Sequence, residues 1–310
     1  MKGLILAGGF GTSLRPLTHT TQKQLIPLAN KPIIYYVIEN LVEAGITEVG
    51  IVVGPNKEKI IDKVGDGSRF GVNITYIDQG YPKGLAHAVL AAENYIQNEP
   101  FIMYLGDNLL KGGVKKFVEK FENSTATAYI LTARVNKPEI FGVVEFSDDN
   151  KIKRLVEKPQ NPPSNYAITG IYGFRKGIFN ACRLLKPSWR NELEITDAVQ
   201  YLLNKGEEVD IDVVEGWWKD TGKIEDMLEA QQLFMSDINQ NIEGTVDETA
   251  KILGNVVIGK GTHVQKNATI RGPVVIGEDC VIGEGVHVGP YTSIGDRSLI
   301  LKGDIQSSIL

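Results

Sequence analysis

The chain has 310 residues, a formal net charge of −5, 42% hydrophobic residues and two cysteines. This length allows one large domain with a smaller one attached, and the distant cysteines, Cys182 and Cys280, argue against a disulfide framework or a zinc site. No apolar run reaches the roughly 20 residues that span a bilayer, and no basic cluster indicates binding to nucleic acid or to a membrane. Met1 leads directly into an apolar run with no signal peptide, so we expect a cytoplasmic protein.

The first predicted element is a buried parallel strand over Leu4–Ala7. Three glycines within residues 8–11 follow at the carboxyl end of the strand, where open α/β sheets bind ligands, and Thr12 adds a hydroxyl donor. Glycines let backbone N–H groups approach phosphate oxygens, although the same cluster can also serve as a tight turn. Neither a P-loop nor a complete dinucleotide-binding motif is present, so we expect a later cation, Lys23, to complete a phosphate site.

Strands and helices alternate over the first hundred residues. Helical spacing is predicted for residues 32–44, 57–64 and 85–96, and buried or half-buried strands for residues 49–53, 74–77 and 101–105. Because parallel strands need crossover helices, this alternation predicts the α/β class with a doubly wound, mixed but mainly parallel sheet.

The loop over residues 78–84 follows one of these strands and carries an amide and a small residue. The Gln79 amide can pair with N3–H and O4 of a pyrimidine, and Gly84 leaves room for the ring. On the residues alone, an ordinary turn with a solvated glutamine is an equally good interpretation.

Two aspartates lie where carboxylates could meet a phosphate site. Asp107 comes just after the strand 101–105, and Asp220 follows a Trp-Trp pair. Such aspartates are often turn or N-cap residues, but a carboxylate beside a triphosphate can also hold Mg²⁺ through one or two bonds. The segment 127–175 between them has the pattern of shorter strands, and its polar residues suit a sugar.

An apolar β-branched residue recurs every six positions from Val246 to Ile300. This period predicts a left-handed parallel β-helix with three hexads to a coil. We therefore predict an α/β domain over residues 1–238, a polar linker over 239–249 and a β-helix domain over 250–310, whose apolar end indicates a truncated array. His263 and His287 each lie one position before a core residue and are expected on the surface, not as bases of a second active site.

Taken together, the motifs resemble those of the sugar-1-phosphate nucleotidyltransferases, most closely the long-type glucose-1-phosphate thymidylyltransferases. The resemblance rests on Gly-Gly-Phe-Gly-Thr-Ser-Leu-Arg-Pro at residues 8–16, Lys-Gln-Leu at 23–25 and Asn-Lys-Pro at 30–32, and it covers the predicted α/β domain. Two positions depart from the family pattern: Ser13 stands where the family has arginine, and Asn191 stands where it has glycine.

The resemblance implies a role for each matching residue. It implies that dTTP is bound by Leu6, Gly8, Gly9, Gly11, Thr12, Gln24, Gln79, Pro82, Gly84 and Asp107. It implies that glucose 1-phosphate is bound by Asn108, Gly142, Glu157, Lys158, Thr169, Arg190 and Trp218. The catalytic positions would be Lys23, Ser13, Lys158 and Arg190, and the Mg²⁺ ligands would be Asp107 and Asp220.

The implied reaction is in-line attack of the sugar phosphate on the α-phosphorus of dTTP, giving dTDP-glucose and pyrophosphate. No general base is needed, because a sugar 1-phosphate is already anionic at neutral pH. We expect reduced turnover from Ser13, since removing one preorganised donor typically costs about 10²–10³ in rate. Members of the family are commonly oligomeric, so the resemblance also implies a homo-oligomer.

Two alternatives stay open on the residues alone. Thymine and uracil present the same hydrogen-bonding edge to Gln79, so a UTP-dependent enzyme making UDP-glucose is the first. The second is a catalytically weak regulatory subunit that binds a sugar nucleotide, because Ser13 lacks the family guanidinium. The aspartates and lysines that catalysis needs argue against this second alternative.

Overall fold

The computed structural model describes residues 1–149 and 151–310. The chain divides into two compact units. The first, which we call the α/β unit, comprises Met1–Leu25 and Ile34–Asp220. The second, which we call the β-helix unit, comprises Ile26–Ile33 and Thr221–Leu310. Within the described residues, no helix is both long and apolar enough to cross a membrane.

The α/β unit is built on one mixed sheet. Its strands are β1 Lys2–Ala7, β4 Glu48–Val53, β5 Asn73–Asp78, β6 Phe101–Leu105, β8 Ala128–Arg134, β9 Gly142–Phe146, β10 Ile152–Glu157, β11 Tyr166–Phe174 and β12 Val209–Val213. Along the main path the order is β10-β9-β11-β6-β1-β4-β5, and β8 joins β11 to β12. Strands β6, β1, β4 and β5 run parallel, whereas β11 is antiparallel to β6, β8 and β9. The predicted mixed α/β sheet is confirmed.

Helices cover both faces of this sheet. They are α1 Ile33–Glu43, α2 Glu58–Val64, α3 Leu85–Ala91, α4 Glu93–Ile96, α5 Lys115–Asn123, α6 Gly177–Leu184 and α7 Ile195–Asn204. Leu4 and Leu6 of β1 pack in one core with residues of α3, α6 and α7, and Ile5 and Ala7 pack in another with residues of α1, α2 and α5. Successive residues of a strand point to opposite faces, so this division is the doubly wound arrangement that the alternation predicts. The helix predicted over 85–96 breaks at Ala92.

A small two-stranded sheet extends the α/β unit near its functional cleft. Strand β7, Asn108–Leu110, pairs antiparallel with β13, Trp218–Asp220, and the register places Asp220 opposite Asn108. Two segments more than a hundred residues apart in sequence are thereby joined. The pairing brings Asp220 next to Asp107.

The β-helix unit stacks short parallel strands in three sheets. The strands are β14 Asn241–Ile242, β15 Thr245–Val246, β16 Lys251–Leu253, β17 Val256–Ile258, β18 His263–Val264, β19 Thr269–Arg271, β20 Val274–Ile276, β21 Val281–Ile282, β22 His287–Val288, β23 Thr292–Ile294, β24 Leu299–Ile300 and β25 Asp304–Ile305. The orders in the three sheets are β14-β17-β20-β23, β15-β18-β21-β24 and β16-β19-β22-β25. Ile252 pairs with Ile270 and Ile270 with Val288, an offset of 18 residues that equals three hexads. These apolar residues fill the interior of the coils. The predicted parallel β-helix is confirmed, and its left-handed turn stays a prediction.

The polar stretch over residues 239–249 is not the linker predicted from its composition. It holds β14 and β15, Thr245–Val246, which pair with the strands of the following coil. Most of its side chains are exposed, and exposed positions accept the polar residues that are also typical of a linker. The backbone is nevertheless hydrogen-bonded to the next coil. The division between the units also falls at Asp220, earlier than the predicted end of the first domain at residue 238.

The β-helix unit contains the segment Ile26–Ile33, which carries the Asn-Lys-Pro motif. Here β2 Pro27–Leu28 pairs with β3 Lys31–Pro32, and the Asn30 amide donates to the Ile294 carbonyl at 2.6 Å. Gln231, in helix α8 Ile224–Met235, is buried and uses its whole amide. Its Oε1 accepts from the backbone N–H of Ala29 and from Ser293 Oγ, and its Nε2 donates to the carbonyls of Tyr291 and Ser308. One buried glutamine therefore joins three segments of this unit.

Candidate active site

The glycine loop, residues 8–12, follows β1 at the carboxyl edge of the sheet. A Cβ at Gly8 would lie 2.5 Å from Gln79 Oε1, and Gly11 has a φ of +61°. Gly11 precedes a short 3-10 turn, Thr12–Leu14, whose Leu14 side chain is buried and anchors the loop. The backbone conformation of Gly11 therefore favours glycine, whereas a Cβ at Gly8 would displace the end of the Gln79 side chain.

The loop Gln79–Gly84, which we call the base loop, follows β5 at the same edge. The backbone N–H of Gln79 donates to the Val53 carbonyl. The side-chain Nε2 of Gln79 lies 3.2 Å from the Gly84 carbonyl and 3.1 Å from His87 Nδ1. Burial, together with the charge of Lys83, lowers the pKa of His87. His87 is therefore neutral at pH 7 and can accept from the Gln79 amide.

Gly84 has a reason to be glycine that differs from the predicted one. Its φ is +104°, and a Cβ there would lie 2.5 Å from the backbone oxygen of Leu193. The base loop and residue 193 are further joined by a hydrogen bond from the Leu193 N–H to the Lys83 carbonyl. Close packing of two backbones, rather than room for a nucleobase alone, accounts for the glycine.

A cleft of about 470 Å³ opens between the glycine loop and the base loop. It is lined by Leu6, Gly8, Gly9, Phe10, Thr12, Gln24, Gln79, Tyr81, Pro82, Gly84, Leu85, Ala88, Leu105, Asp107, Arg190, Asn191 and Glu192. Nine of the ten residues that the resemblance assigns to dTTP are in this lining, the exception being Gly11. The structure thus gathers them, from four separate parts of the chain, around one cavity.

Three charged side chains meet near the cleft. Lys23 Nζ lies 2.5 Å from Asp107 Oδ2 and 3.6 Å from Asp220 Oδ1. Burial of Lys23 favours the neutral amine, but the two carboxylates outweigh this effect and raise the pKa of Lys23. Lys23 therefore stays protonated at neutral pH. It also lets two carboxylates that would repel each other share one region.

Asn108 and Trp218, which are predicted to bind the sugar phosphate, are linked by hydrogen bonds to this charge cluster. Asn108 is buried, its Nδ2 donates to Asp107 Oδ1 at 3.0 Å, and its Oδ1 accepts from Trp218 Nε1 at 2.6 Å. The Trp218 ring in turn contacts Phe141 edge-on, with 5.1 Å between ring centroids. The polar atoms of both side chains are used within the protein and orient the Asp107 carboxylate.

Arg190, predicted to hold a phosphate, is surrounded by carboxylates. Its guanidinium lies 2.7 Å from Glu192, 3.3 Å from Glu157 and 3.6 Å from Glu194. Burial raises the pKa of Glu194, which also accepts from Ser188 Oγ. A phosphate could bind Arg190 only by competing with these acidic groups, so the arrangement supports a weaker role in phosphate binding than the sequence predicts.

The remaining predicted sugar residues have three kinds of surroundings. Gly142 lies opposite Glu157 in the β9–β10 pair, where Glu157 also accepts from Thr196 Oγ1 at 2.7 Å. A Cβ at Gly142 would lie 3.1 Å from Glu157 Oε2, so glycine makes room for this carboxylate. Thr169, which is predicted to line the sugar pocket, is buried, and its hydroxyl donates to the Leu131 carbonyl. Lys158 is exposed at the end of β10 and makes no ion pair within residues 1–149 and 151–310.

The two departures from the family pattern have different surroundings. Asn191 has a φ of +60°, and its N–H donates to the Ser188 carbonyl. Asparagine tolerates this left-handed conformation better than other non-glycine residues, which explains how it can replace glycine. Ser13 is exposed in the turn Thr12–Leu14. Within the described residues, the Ser13 side chain makes no contact that could substitute for the charge of the family arginine.

Two aromatic residues at the cleft, Phe10 and Tyr81, are not among the site residues predicted from the sequence. Each lies within a glycine-containing loop at the carboxyl end of a parallel strand, and this placement is the signal that could have identified them. For the described residues, no group of three or more histidine, cysteine, aspartate or glutamate side chains is arranged to hold a metal ion. Any metal here would need ligands from a substrate as well as from Asp107 and Asp220.

Comparisons with known proteins agree with this geometry. Residues 2–237 match the nucleotidyl transferase family, and residues 255–290 match the bacterial transferase hexapeptide repeats. The chain is 46% identical over 311 residues to a glucose-1-phosphate thymidylyltransferase of Streptomyces antibioticus, with 100% of this chain and 87% of the relative covered. The chain therefore belongs to the nucleotidyl transferase family.

Two solved structures are similar to this chain over about three quarters of its length. One, from Bacillus anthracis, is described as a glucose-1-phosphate thymidylyltransferase in complex with a sucrose; it has a TM-score of 0.70 at 36% identity, covering 78% of this chain and 97% of that chain. The other is a UDP-glucose pyrophosphorylase complexed with UDP-glucose, with a TM-score of 0.69 at 29% identity, covering 76% of this chain and 98% of that chain.

Proposed function

We propose that the chain transfers a thymidylyl group from dTTP to glucose 1-phosphate, giving dTDP-glucose and pyrophosphate. The observation that carries the proposal is the convergence of the glycine loop, the base loop and the cluster of Lys23, Asp107 and Asp220 around one cleft. The similarity to thymidylyltransferases over the whole chain supports dTTP and glucose 1-phosphate as the substrates.

In the proposed reaction, an oxygen of the sugar phosphate forms a bond to the α-phosphorus of dTTP, and the bond from that phosphorus to the β-phosphate oxygen breaks. Lys23, which stays protonated, offsets negative charge on the triphosphate. Backbone N–H groups of the glycine loop and the Thr12 hydroxyl supply neutral donors to the phosphate oxygens. Positioning and charge neutralisation, without proton abstraction, account for the catalysis.

The residues fit a divalent metal ion, which we propose to be Mg²⁺. Asp107 and Asp220 already converge on one cation, the Lys23 ammonium, and carboxylates joined by substrate phosphates are the usual Mg²⁺ ligands. If held by Asp107 and Asp220, the ion would supply positive charge that lowers the repulsion between the two anionic substrates. The Asn108 amide would hold Asp107 in place as a ligand.

Lys158 is the best candidate in the described chain for binding the sugar phosphate. It is a cation without an ion pair in residues 1–149 and 151–310, whereas Arg190 contacts three carboxylates. Gly142 and Glu157 would bind the sugar hydroxyls, because a carboxylate acceptor suits them. The proposal also includes a cytoplasmic location, where both phosphorylated substrates are found, and a homo-oligomeric assembly.

The test is Mg²⁺-dependent release of pyrophosphate from glucose 1-phosphate with dTTP and, in parallel, with UTP. Turnover that is faster with dTTP supports the proposal, and faster turnover with UTP would replace it with the uridylyltransferase alternative. Nucleotide binding without turnover, in the presence of either triphosphate, would favour the regulatory subunit. An Asp107→Asn variant serves as the control, because it should lose turnover under all these conditions.

A further inference from the structure

Phe10 and Tyr81 form an aromatic pair at the mouth of the cleft. Phe10 belongs to the glycine loop and Tyr81 to the base loop, and their ring centroids lie 5.6 Å apart with an interplanar angle of 60°. The Phe10 side chain is 40% exposed and that of Tyr81 is 70% exposed. Neither ring fills the core of the α/β unit, so packing within the protein does not account for them.

The apolar residues that line the cleft differ in how far they are buried. Leu6 and Ala88 are buried and belong to one of the two cores of the α/β unit, whereas Phe10 and Tyr81 are exposed. The buried side chains thus form a fixed apolar wall, and the exposed rings lie where solvent enters. A nucleobase has two flat faces, and each can contact an apolar or aromatic surface.

We infer that Phe10 and Tyr81 form an aromatic clamp that stacks on the nucleobase of the bound nucleoside triphosphate. This inference rests on the proposed function, since it takes the cleft as the nucleotide site. The clamp recognises the π-face that every base has, so it separates nucleotides from bare polyphosphates but not thymine from uracil. Reading of the base edge remains with Gln79.

The clamp also links the two loops that the reaction needs. Phe10 lies between Gly9 and Gly11, and Tyr81 follows Gly80, so both rings are carried by backbone with few conformational restrictions. Their ring contact joins the loops before the nucleotide binds, and a base stacked on the pair would order both loops together. Loss of either ring should therefore weaken nucleotide binding, and loss of both should cost less than the product of the single effects.

The experiment measures dissociation constants by calorimetry with Mg²⁺ present, using dTTP, UTP and inorganic tripolyphosphate as ligands. The variants are Phe10→Ala, Tyr81→Ala, the double variant, and Tyr81→Phe as the conservative change. Leu184→Ala is the matched control, because Leu184 is an exposed apolar residue, 62% exposed, at the end of α6 and outside the cleft lining. Thermal unfolding of each variant checks that the α/β unit remains folded.

We expect each alanine variant to weaken binding of dTTP and UTP by about 5- to 100-fold, with tripolyphosphate unaffected and Tyr81→Phe close to the parent protein. The inference is overturned if both alanine variants bind dTTP as the parent does. It is also overturned if tripolyphosphate binding falls equally, since the rings would then support the phosphate loop and not the base. Failure of the parent protein to bind dTTP at all would instead refute the proposed function.

Discussion

The cleft of the α/β unit and the interior of the β-helix unit are built in opposite ways. The cleft gathers dissimilar residues from distant segments, and several of them depend on their particular surroundings, such as Gly84, whose φ of +104° favours glycine, and Lys23, which lies between two carboxylates. The β-helix interior repeats one kind of contact, with Ile252, Ile270 and Val288 in register. One region is specialised for chemistry and the other for stability, so substitutions in the two should have different consequences.

The largest effect is expected for Lys23→Ala. The change removes the cation that offsets phosphate charge and leaves Asp107 and Asp220 close together without it. Turnover should therefore fall by about 10³-fold, the upper end for a lost preorganised charge. Steady-state kinetics measure this, with Lys186→Ala, an exposed lysine, as the control. A loss below about tenfold would show that Lys23 serves only to pair the carboxylates.

In the β-helix unit, the largest effect is expected for Ile270→Ala, and it is a loss of stability. Ile270 is fully buried between Ile252 and Val288, so the truncation leaves a cavity and should lower the free energy of unfolding by about 2–5 kcal/mol. Denaturant unfolding gives the value, and Thr269→Ala, one position away, is the control. The dissociation constant of dTTP should stay unchanged. A tenfold weaker dTTP complex would contradict the separation of chemistry from stability.

Gln231→Leu tests whether one buried polar residue contributes as much to the free energy of unfolding as the apolar interior of the β-helix unit. The change leaves the Ala29 N–H, Ser293 Oγ and two backbone carbonyls without their partner. Because buried polar groups lose stability when left unsatisfied, we expect the free energy of unfolding to fall by about 2–3 kcal/mol. Gln232→Leu, on the exposed side of the same helix, is the matched control. Equal stability of the two variants would mean that water replaces these hydrogen bonds.

Ser13→Arg adds a cation near the cleft, whereas Lys23→Ala removes one, and it should therefore increase turnover. The family pattern has arginine at this position, and a guanidinium near the glycine loop can offset charge on the departing pyrophosphate. We expect a gain of about tenfold, less than the cost of removing a preorganised donor, because Ser13 lies in an exposed turn that does not hold a long side chain in place. Ser13→Lys is the control for charge alone. Unchanged turnover with arginine would refute this role for the loop.

The same contrast explains what the sequence could predict. The hexad period and the strand–helix alternation are repeated signals, so the β-helix and the doubly wound sheet follow from them. The two-residue strands over 27–28 and 31–32 pair with each other, and those over 241–242 and 245–246 pair with the next coil. Apart from Val246, their residues belong to no repeated signal, and this pairing is visible only in three dimensions. A linker was predicted where the first coil lies for this reason.

The site was predictable where a residue acts through its chemical type and not where it acts through its neighbours. Gly8, Gly9, Gly84, Gln79 and Asp107 could be selected by type and by their place at strand ends, and they line one cleft. The internal hydrogen bonds of Asn108 and the carboxylates around Arg190 depend on long-range packing. Sequence spacing carries no record of such partners.

The smallest expected effect concerns pH and the base loop. Burial and the charge of Lys83 lower the pKa of His87 from 6.5, so neutral imidazole can accept from Gln79 at pH 7. The folded-state pKa is the lower one, and this contribution is therefore present above pH 6.5 and lost as pH falls through the depressed value. Below that value, protonated Nδ1 no longer accepts, and Gln79 is less well oriented toward a base.

We therefore expect dTTP binding to weaken about threefold as the pH falls from 7.5 to below the lowered pKa of His87, beyond the change shown by His87→Leu. The phosphates of dTTP also titrate near this range, so only the difference between the parent protein and the variant reports on His87. Calorimetric titration at each pH supplies both curves, and tripolyphosphate is the control ligand without a base. Parallel curves for the parent protein and His87→Leu would show that the Gln79 amide does not depend on the imidazole.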